Sequence, residues 1–408
     1  MKKIGLKIFY LVLFIYSIEA LLFLFMQEKV LTMDYLKNQR ITIAKQKGIE
    51  IDPRSPEKAF LDFRKIEKNL EPKFFYSPIF RFSKTFQNAK KENKLIPFRG
   101  PINSKTMSCA EEGKYNLDIS DKFGFKNSND IYNKKINTIL LGDSFAEGDC
   151  QNIENDIAGN LSKKGHNTAN FGVVGTSALV ALGIIREFGQ ELKPNNIVYM
   201  YAEENDLNGL NWSKNDKHLI SYLDKNYKVN YLNKYDEVQK FLELSSSETI
   251  SFLESGKQNK KQNIKSNIDI LKEDLIDIIE LKKIKNIVRY KILRKTRIDV
   301  DLDLFFSVIN QMNEDSKILN SNFIFVYTPS AERYFSLPEY ANLKEKEQIK
   351  LKDKILEGVK KMNITTVDLT EYFDKAENVK QYFSLDYIGH FDSDGYKKVA
   401  EIISQKLN

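Results

Sequence analysis

Residues 136–145 read INTILLGDSF: an apolar run that stops at a glycine and meets a Ser at the start of the next segment. Ile136 to Leu141 predicts a short buried strand. Outward from it, residues 152–164 predict a helix closed by Gly165 as C-terminal cap. Ala169 to Val174 reads as a second strand, Ala178 to Leu192 as an apolar-periodic helix, and Asn196 to Tyr201 as a third strand. Asn322 to Tyr327, a helix over 342–362, Ile364 to Leu369 and a last helix from Ser393 to Leu407 continue the alternation. That last helix carries Tyr396, Val399, Ala400, Ile403 and Leu407 on one 3.6-period face. Strands alternating with helices of this length predict a parallel sheet covered on both faces.

In an open sheet of this kind, chemistry collects at the carboxyl ends of the strands. The first strand ends in Gly142-Asp143-Ser144, which aims a hydroxyl into the crevice at a helix N-terminus, where developing negative charge is favoured. The second ends in Asn170 through Gly175, and a Gly there lets a backbone N–H approach a reacting oxygen. The third ends in Glu203-Glu204-Asn205-Asp206, where the Asn205 amide is a second candidate donor. Asp386-Tyr387-Ile388-Gly389-His390 then supplies an imidazole directly before the final helix, four residues after a carboxylate. A general base needs an imidazole near the hydroxyl and an acid to orient it. His166, in a loop, and His218, in an insertion, read as surface histidines.

In this order, the four segments resemble the SGNH (GDSL-like) hydrolases over residues 136–207 and 320–408. The segment Ser120 to Asn127 (SDKFGFKN) is similar to the stretch before GDS in membrane-anchored, exported members from bacterial polysaccharide gene clusters. The resemblance implies a flavodoxin-like three-layer α/β sandwich with a parallel sheet of about five strands. It implies Ser144 as nucleophile, His390 as base and Asp386 as acid. Ser144, Gly175 and Asn205 would form the oxyanion hole. It also implies a serine esterase acting on an acyl ester of a carbohydrate or cell-surface glycan, with no metal or organic cofactor. Two other readings stand beside it: an O-acyltransferase using the same Ser–His site, and a non-catalytic glycan-binding or assembly protein. The sequence departs from the family twice. Glu203 stands where a Gly is usual, and Asp386 lies four residues before His390 rather than three or two. Asp392, Asp394 or a dyad without a carboxylate are the alternatives for the acid.

Upstream, Ile8 to Met26 (IFYLVLFIYSIEALLFLFM) forms nineteen residues, enough as a helix to cross a bilayer's hydrocarbon. Lys2, Lys3 and Lys7 precede it, which predicts a cytoplasmic N-terminus and an extracytoplasmic remainder. No A-x-A-like site follows, so an uncleaved signal anchor is expected over a cleaved signal peptide. With the resemblance, this places the chain in a bacterial inner membrane, single-pass, with a periplasmic catalytic domain. Glu19 inside the span predicts either a polar partner in the membrane or a protonated carboxyl.

The expected organisation is an anchor at 1–26, a stalk and irregular extension at 27–135, and a catalytic domain at 136–408 with a Lys-rich helical insertion at 208–300. Within the insertion, Ser245–Ser247 and residues 256–263 read as linker. Apolar residues from Ile264 to Val288 read as a helix with a basic end (Lys282, Lys283, Lys285, Arg289, Lys291, Arg294, Lys295, Arg297). That end reads either as a solvated face or as a contact for an anionic surface.

Composition bounds the rest. Mean hydropathy of -0.44 over 408 residues excludes a multi-pass membrane protein. Sixty-three Lys and Arg against 56 Asp and Glu give +7, spread without the cationic block of a nucleic-acid arm. Three His disfavour a His-rich metal centre, and two Cys exclude a disulfide scaffold. In an oxidising compartment, Cys109 and Cys150 are expected to pair and pin the extension beside the nucleophile loop.

Overall fold

A computed structural model of the chain describes residues 2–25, 33–75, 83–92, 95–203, 205–255, 275–276, 278–286, 300–335 and 349–407. Its centre is a five-stranded, all-parallel sheet. Strands β1 (Thr138–Gly142), β2 (Thr168–Asn170), β3 (Asn196–Ala202), β4 (Asn322–Thr328) and β5 (Thr365–Asp368) lie in the order β2-β1-β3-β4-β5. The order reverses at β1, which places the topological switch point at the carboxyl end of this strand, beside Gly142.

Side chains alternate between two cores because successive strand residues face opposite ways. Ile139, Leu141, Ile197, Tyr199, Tyr201, Phe323 and Phe325 face one core. Leu140, Val198, Met200, Ile324, Val326 and Val367 face the other. Every residue of β3 is buried, as expected of a central strand in a doubly covered sheet.

Among the helices, α1 (Lys2–Phe25) is the apolar N-terminal segment, and α2 (Met33–Gln46) is the helical part of the stalk. α3 (Ser144–Glu147) is a single turn, and α4 (Ile157–Lys163) follows it. α5 (Ala178–Leu192), α6 (Asp206–Ser213), α7 (Tyr235–Glu254), α8 (Leu302–Ile318), α9 (Lys352–Lys361) and α10 (Ser393–Ser404) complete the set used below. α5, α8 and α9 cover the first core; α4 and α10 cover the second. This is the expected three-layer α/β sandwich.

The extension before β1 shares the first core. Phe74, Phe86, Ile96, Phe98 and Phe125 are buried in the same cluster as Ile139 and Phe171, and the Phe125 and Phe171 rings sit 4.3 Å apart. Two short antiparallel pairings, Phe74–Phe75 with Arg99–Gly100 and Lys105–Met107 with Leu117–Ile119, give it local order.

Two local expectations are corrected. Ser245–Ser247 is not linker: it lies within α7, which buries Val238, Phe241 and Leu242 in the first core, and Ser245 accepts a hydrogen bond from Ser83 (3.1 Å). His218 is not a surface residue. It is buried, with its ring nitrogens 3.0 Å from the hydroxyls of Tyr227 and Tyr231, and burial lowers its pKa. The linker at 256–263, most of the helix expected over 264–288, its basic residues beyond Lys285, and Glu204 lie outside the described residues.

Candidate active site

At the end of β1 the chain turns sharply into α3. Gly142 has φ 143°, and a Cβ there would sit 2.6 Å from the Met200 carbonyl oxygen of the neighbouring strand. Only a glycine lets β1 and β3 stay in register through this turn. Asp143 caps α3 by accepting the Phe145 N–H at 2.9 Å. Burial raises the Asp143 carboxyl, against the opposing influence of the Asn205 amide and that N–H. Ser144 therefore opens a helix whose frame is fixed on both sides.

His390 comes from the loop before α10. Its Nε2 lies 2.8 Å from Ser144 Oγ. The ring packs on Phe145, with centroids 5.0 Å apart. The structure thus brings together the two residues singled out as hydroxyl and base.

The acid is where the structure departs from the sequence reading. The Asp386 carboxylate is part-exposed and pairs with Lys47 on the stalk. Asp392 caps α10 through the Gly395 N–H (2.8 Å), and Asp394 is exposed on its first turn. The carboxylate on His390 is Glu111, from the N-terminal extension. Its Oε2 lies 3.1 Å from His390 Nδ1 and accepts the His390 backbone N–H at 2.8 Å. Its Oε1 accepts from Arg40 Nη2 of α2 at 2.8 Å, and the same guanidinium nitrogen donates to the Ile388 carbonyl at 2.8 Å. A Cβ at Gly389 (φ 158°) would stand 2.6 Å from Glu111 Oε2, so this glycine makes room for the carboxylate. Burial would raise the Glu111 carboxyl. The charge and hydrogen bonds of His390, with Arg40, outweigh it and hold the pKa at about 2.

The extension also braces the nucleophile turn. Glu147, at the end of α3, is fully buried and accepts from Arg99 (2.7 Å) and Lys73 (2.6 Å) on one oxygen and from the Val174 N–H (3.1 Å) on the other. Burial would raise its carboxyl, but Arg99 and Lys73 outweigh that and lower it. Val173 N–H donates to the Gly142 carbonyl at 3.0 Å, so the loop after β2 is tied to the nucleophile turn at two successive residues. From SDKFGFKN, Lys126 donates to the Gly148 carbonyl (2.7 Å), and Asn127 exchanges hydrogen bonds with the Asn170 backbone (2.8 and 2.9 Å).

Gly175 lies in the loop after β2 with φ 68°, and Asn205 stands at the N-terminal boundary of α6, after the end of β3, without a side-chain capping hydrogen bond. They stand on the two loops that flank the β1 turn. α6 packs closely on the Gly175 loop: a Cβ on Gly209 would come within 2.9 Å of the Thr176 carbonyl oxygen. Glu203, in the place of the usual glycine, is buried and accepts from Tyr327 (2.5 Å), the Ser330 N–H (3.1 Å) and Arg333. It fixes the loop that follows β4.

Cys109 and Cys150 form a disulfide with Cα atoms 4.8 Å apart. The sulfurs lie within 4.8 Å of the contacting atoms of Glu111 and His390. The bond therefore holds the strand of chain that carries Glu111 beside the nucleophile loop. This was the one sequence signal that pointed to Glu111, a carboxylate two residues beyond a cysteine expected to pair next to Ser144.

Two consequences for stability follow. Opening a 41-residue loop by the double substitution Cys109→Ser and Cys150→Ser is expected to cost about 4 kcal/mol on the chain-entropy account. Thermal melts with and without reductant check this, and an unchanged midpoint would count against it. Glu147→Ala would leave the buried Arg99 without its carboxylate, Lys73 keeping Asp149 at 3.1 Å, and cost about 3–5 kcal/mol in urea unfolding, more than Glu147→Gln, which keeps a hydrogen-bond acceptor.

No family model matches the chain, and no curated protein matches it. Solved structures do. A lipolytic protein of the G-D-S-L family from Desulfitobacterium hafniense is 15% identical, with 67% of this chain and 99% of that chain covered at a TM-score of 0.36. A GDSL-like lipase from Bacteroides thetaiotaomicron is 15% identical, with 67% and 88% covered at 0.34. An acetyl-xylooligosaccharide esterase variant from Geobacillus Stearmophilus is 11% identical, with 67% and 95% covered at 0.33. With likenesses at this level, the chemistry of the site is read from its own geometry.

Proposed function

We propose that the chain is a membrane-anchored serine esterase of SGNH type. The observation that carries this reading is the unbroken line Ser144 Oγ–His390 Nε2 (2.8 Å) and His390 Nδ1–Glu111 Oε2 (3.1 Å), at the carboxyl end of β1. Glu111, ionised at neutral pH, fixes the tautomer with a proton on Nδ1, leaving Nε2 free to accept the Ser144 proton. Ser144 attacks an ester carbonyl and its proton passes to Nε2. The tetrahedral oxyanion is held by the backbone N–H groups of Ser144 and Gly175 and by the Asn205 amide. His390 returns the proton to the leaving alkoxide, and water hydrolyses the acyl-enzyme with His390 as base. Glu147 supports this by holding the Val174 peptide next to Gly175.

The substrate class is an acyl ester on a carbohydrate or surface glycan. The similarity of residues 120–127 to exported members of polysaccharide gene clusters supports it. The anchor is α1, whose Gly5–Leu22 stretch is long and apolar enough to cross a membrane. With Lys2, Lys3 and Lys7 on the cytoplasmic side, the site works outside the cytoplasm.

The test is turnover of short-chain aryl esters and acetylated oligosaccharides by the purified full chain. Acyl release at rates well above Ser144→Ala is the expected result. Release only with a glycan acceptor would reassign the site to acyl transfer. No acyl release from any donor would overturn the enzymatic reading.

A further inference from the structure

The described part of the insertion at 275–276 and 278–286 is placed by its hydrogen bonds. It lies against α1. The carbonyl of Ile279 accepts from the Tyr16 hydroxyl at 3.2 Å. The N–H groups of Lys283 and Ile284 donate to the two oxygens of Glu19 at 2.6 and 2.8 Å. Glu19, the one acidic residue of the apolar span, is fully buried by this contact. The polar partner expected for it is supplied by the chain itself.

Depth follows from helix geometry. Tyr16 and Glu19 lie ten and seven residues before Met26, the end of the apolar run, or about 15 and about 10 Å along the axis. Anything that touches both lies at the level of the span. In sequence the segment sets Leu275, Ile276, Ile278 and Ile279 around Asp277, with Glu280 after them. Leu275, Ile276 and Ile279 are exposed at 56%, 52% and 64%. Beside the two N–H groups held by Glu19, the Glu280 N–H meets the Ile276 carbonyl and the Lys285 N–H that of Leu281, both at 2.8 Å. Hydrocarbon demands such local pairing of backbone groups. Lys282, Lys283 and Lys285 follow in sequence, long side chains able to extend towards phosphate headgroups.

We infer that residues 275–276 and 278–286 belong to a second membrane-embedded element, inserted in the outer leaflet beside α1 and docked on it through Glu19. Leu275, Ile276 and Ile279 face lipid acyl chains. This rests on the reading of α1 as a membrane span.

The experiment uses the full chain in nanodiscs of phosphatidylcholine and phosphatidylglycerol. Both native cysteines are paired, so an introduced cysteine can be labelled alone with an environment-sensitive dye. Three positions are compared: Ile279→Cys, Phe14→Cys within α1, and Lys163→Cys on the exposed end of α4. Doxyl-labelled lipid is the quencher. Ile279→Cys is expected to be quenched at least half as strongly as Phe14→Cys, and Lys163→Cys not at all. Adding Glu19→Ala is expected to lower the quenching at Ile279→Cys and leave that at Phe14→Cys unchanged. Quenching at Phe14→Cys without quenching at Ile279→Cys overturns the inference. A blue-shifted but unquenched dye at Ile279→Cys also overturns it, because it marks burial against protein. No quenching at Phe14→Cys overturns the membrane span itself.

Discussion

Ser144→Ala is expected to lower kcat/KM for an aryl ester by about 10⁴-fold or more, with the fold unchanged. The hydroxyl lies 2.8 Å from His390 Nε2, so its removal takes away the group that this base is placed to activate. Substrate binding and the oxyanion donors remain, and KM should change far less than kcat. The substitution deletes one oxygen from a helix start whose cap is the neighbouring Asp143, so unfolding in urea should shift by less than about 1 kcal/mol. Steady-state kinetics beside a denaturation curve separate the two effects. Residual activity within tenfold of the parent chain would remove Ser144 from the mechanism.

Glu111→Gln is expected to lower kcat by about 10³–10⁴-fold, because an amide no longer fixes the productive tautomer or stabilises the imidazolium. Asp386→Ala should leave activity close to the parent, since its partner is Lys47 at a part-exposed site where an ion pair is worth about 0–1 kcal/mol. The pair of variants discriminates between the two carboxylates directly. The pH profile adds an independent readout. Activity requires neutral His390, so it falls as the ring is protonated, not as Glu111 titrates near 2. Removing the Glu111 charge disfavours the imidazolium, so the acid limb of kcat/KM in Glu111→Gln should move to lower pH. Stability has its own sign. The Glu111 carboxyl is held below its usual value of 4.5, so the stability it contributes is complete above that pH and is lost as pH falls towards about 2.

The alternation of β1 to β5 with helices was legible because a doubly covered parallel sheet demands continuous apolar strands. NIVYMY and NFIFVY carry that demand in six residues each, and the strands run Asn196–Ala202 and Asn322–Thr328. The Ser144–His390 pairing was legible because both residues sit at element boundaries on the same sheet edge. The acid was not, because its selection is tertiary. Glu111 lies 279 residues from His390 along the chain and reaches it only through the fold of the extension, the Cys109–Cys150 bond and the room left by Gly389. Nearness in sequence favoured Asp386, which the loop instead offers to Lys47. Ser245 was misread for a related reason. Serine is a weak helix former in isolation, and its place in α7 is secured by Ser83 and by the burial of Phe241 and Leu242 on the same helix.

In the proposed mechanism one catalytic line runs from Ser144 through His390 to a carboxylate supplied by the N-terminal extension. Its most direct test is the second-order rate of phosphonylation by a fluorophosphonate, with the adduct mapped by mass spectrometry, in the parent chain, Glu111→Gln and Asp386→Ala. The account predicts a single adduct on the peptide carrying Ser144, formed at least about 100-fold more slowly in Glu111→Gln and at the parental rate in Asp386→Ala. An adduct on another residue, or a rate set by Asp386 and indifferent to Glu111, would contradict it.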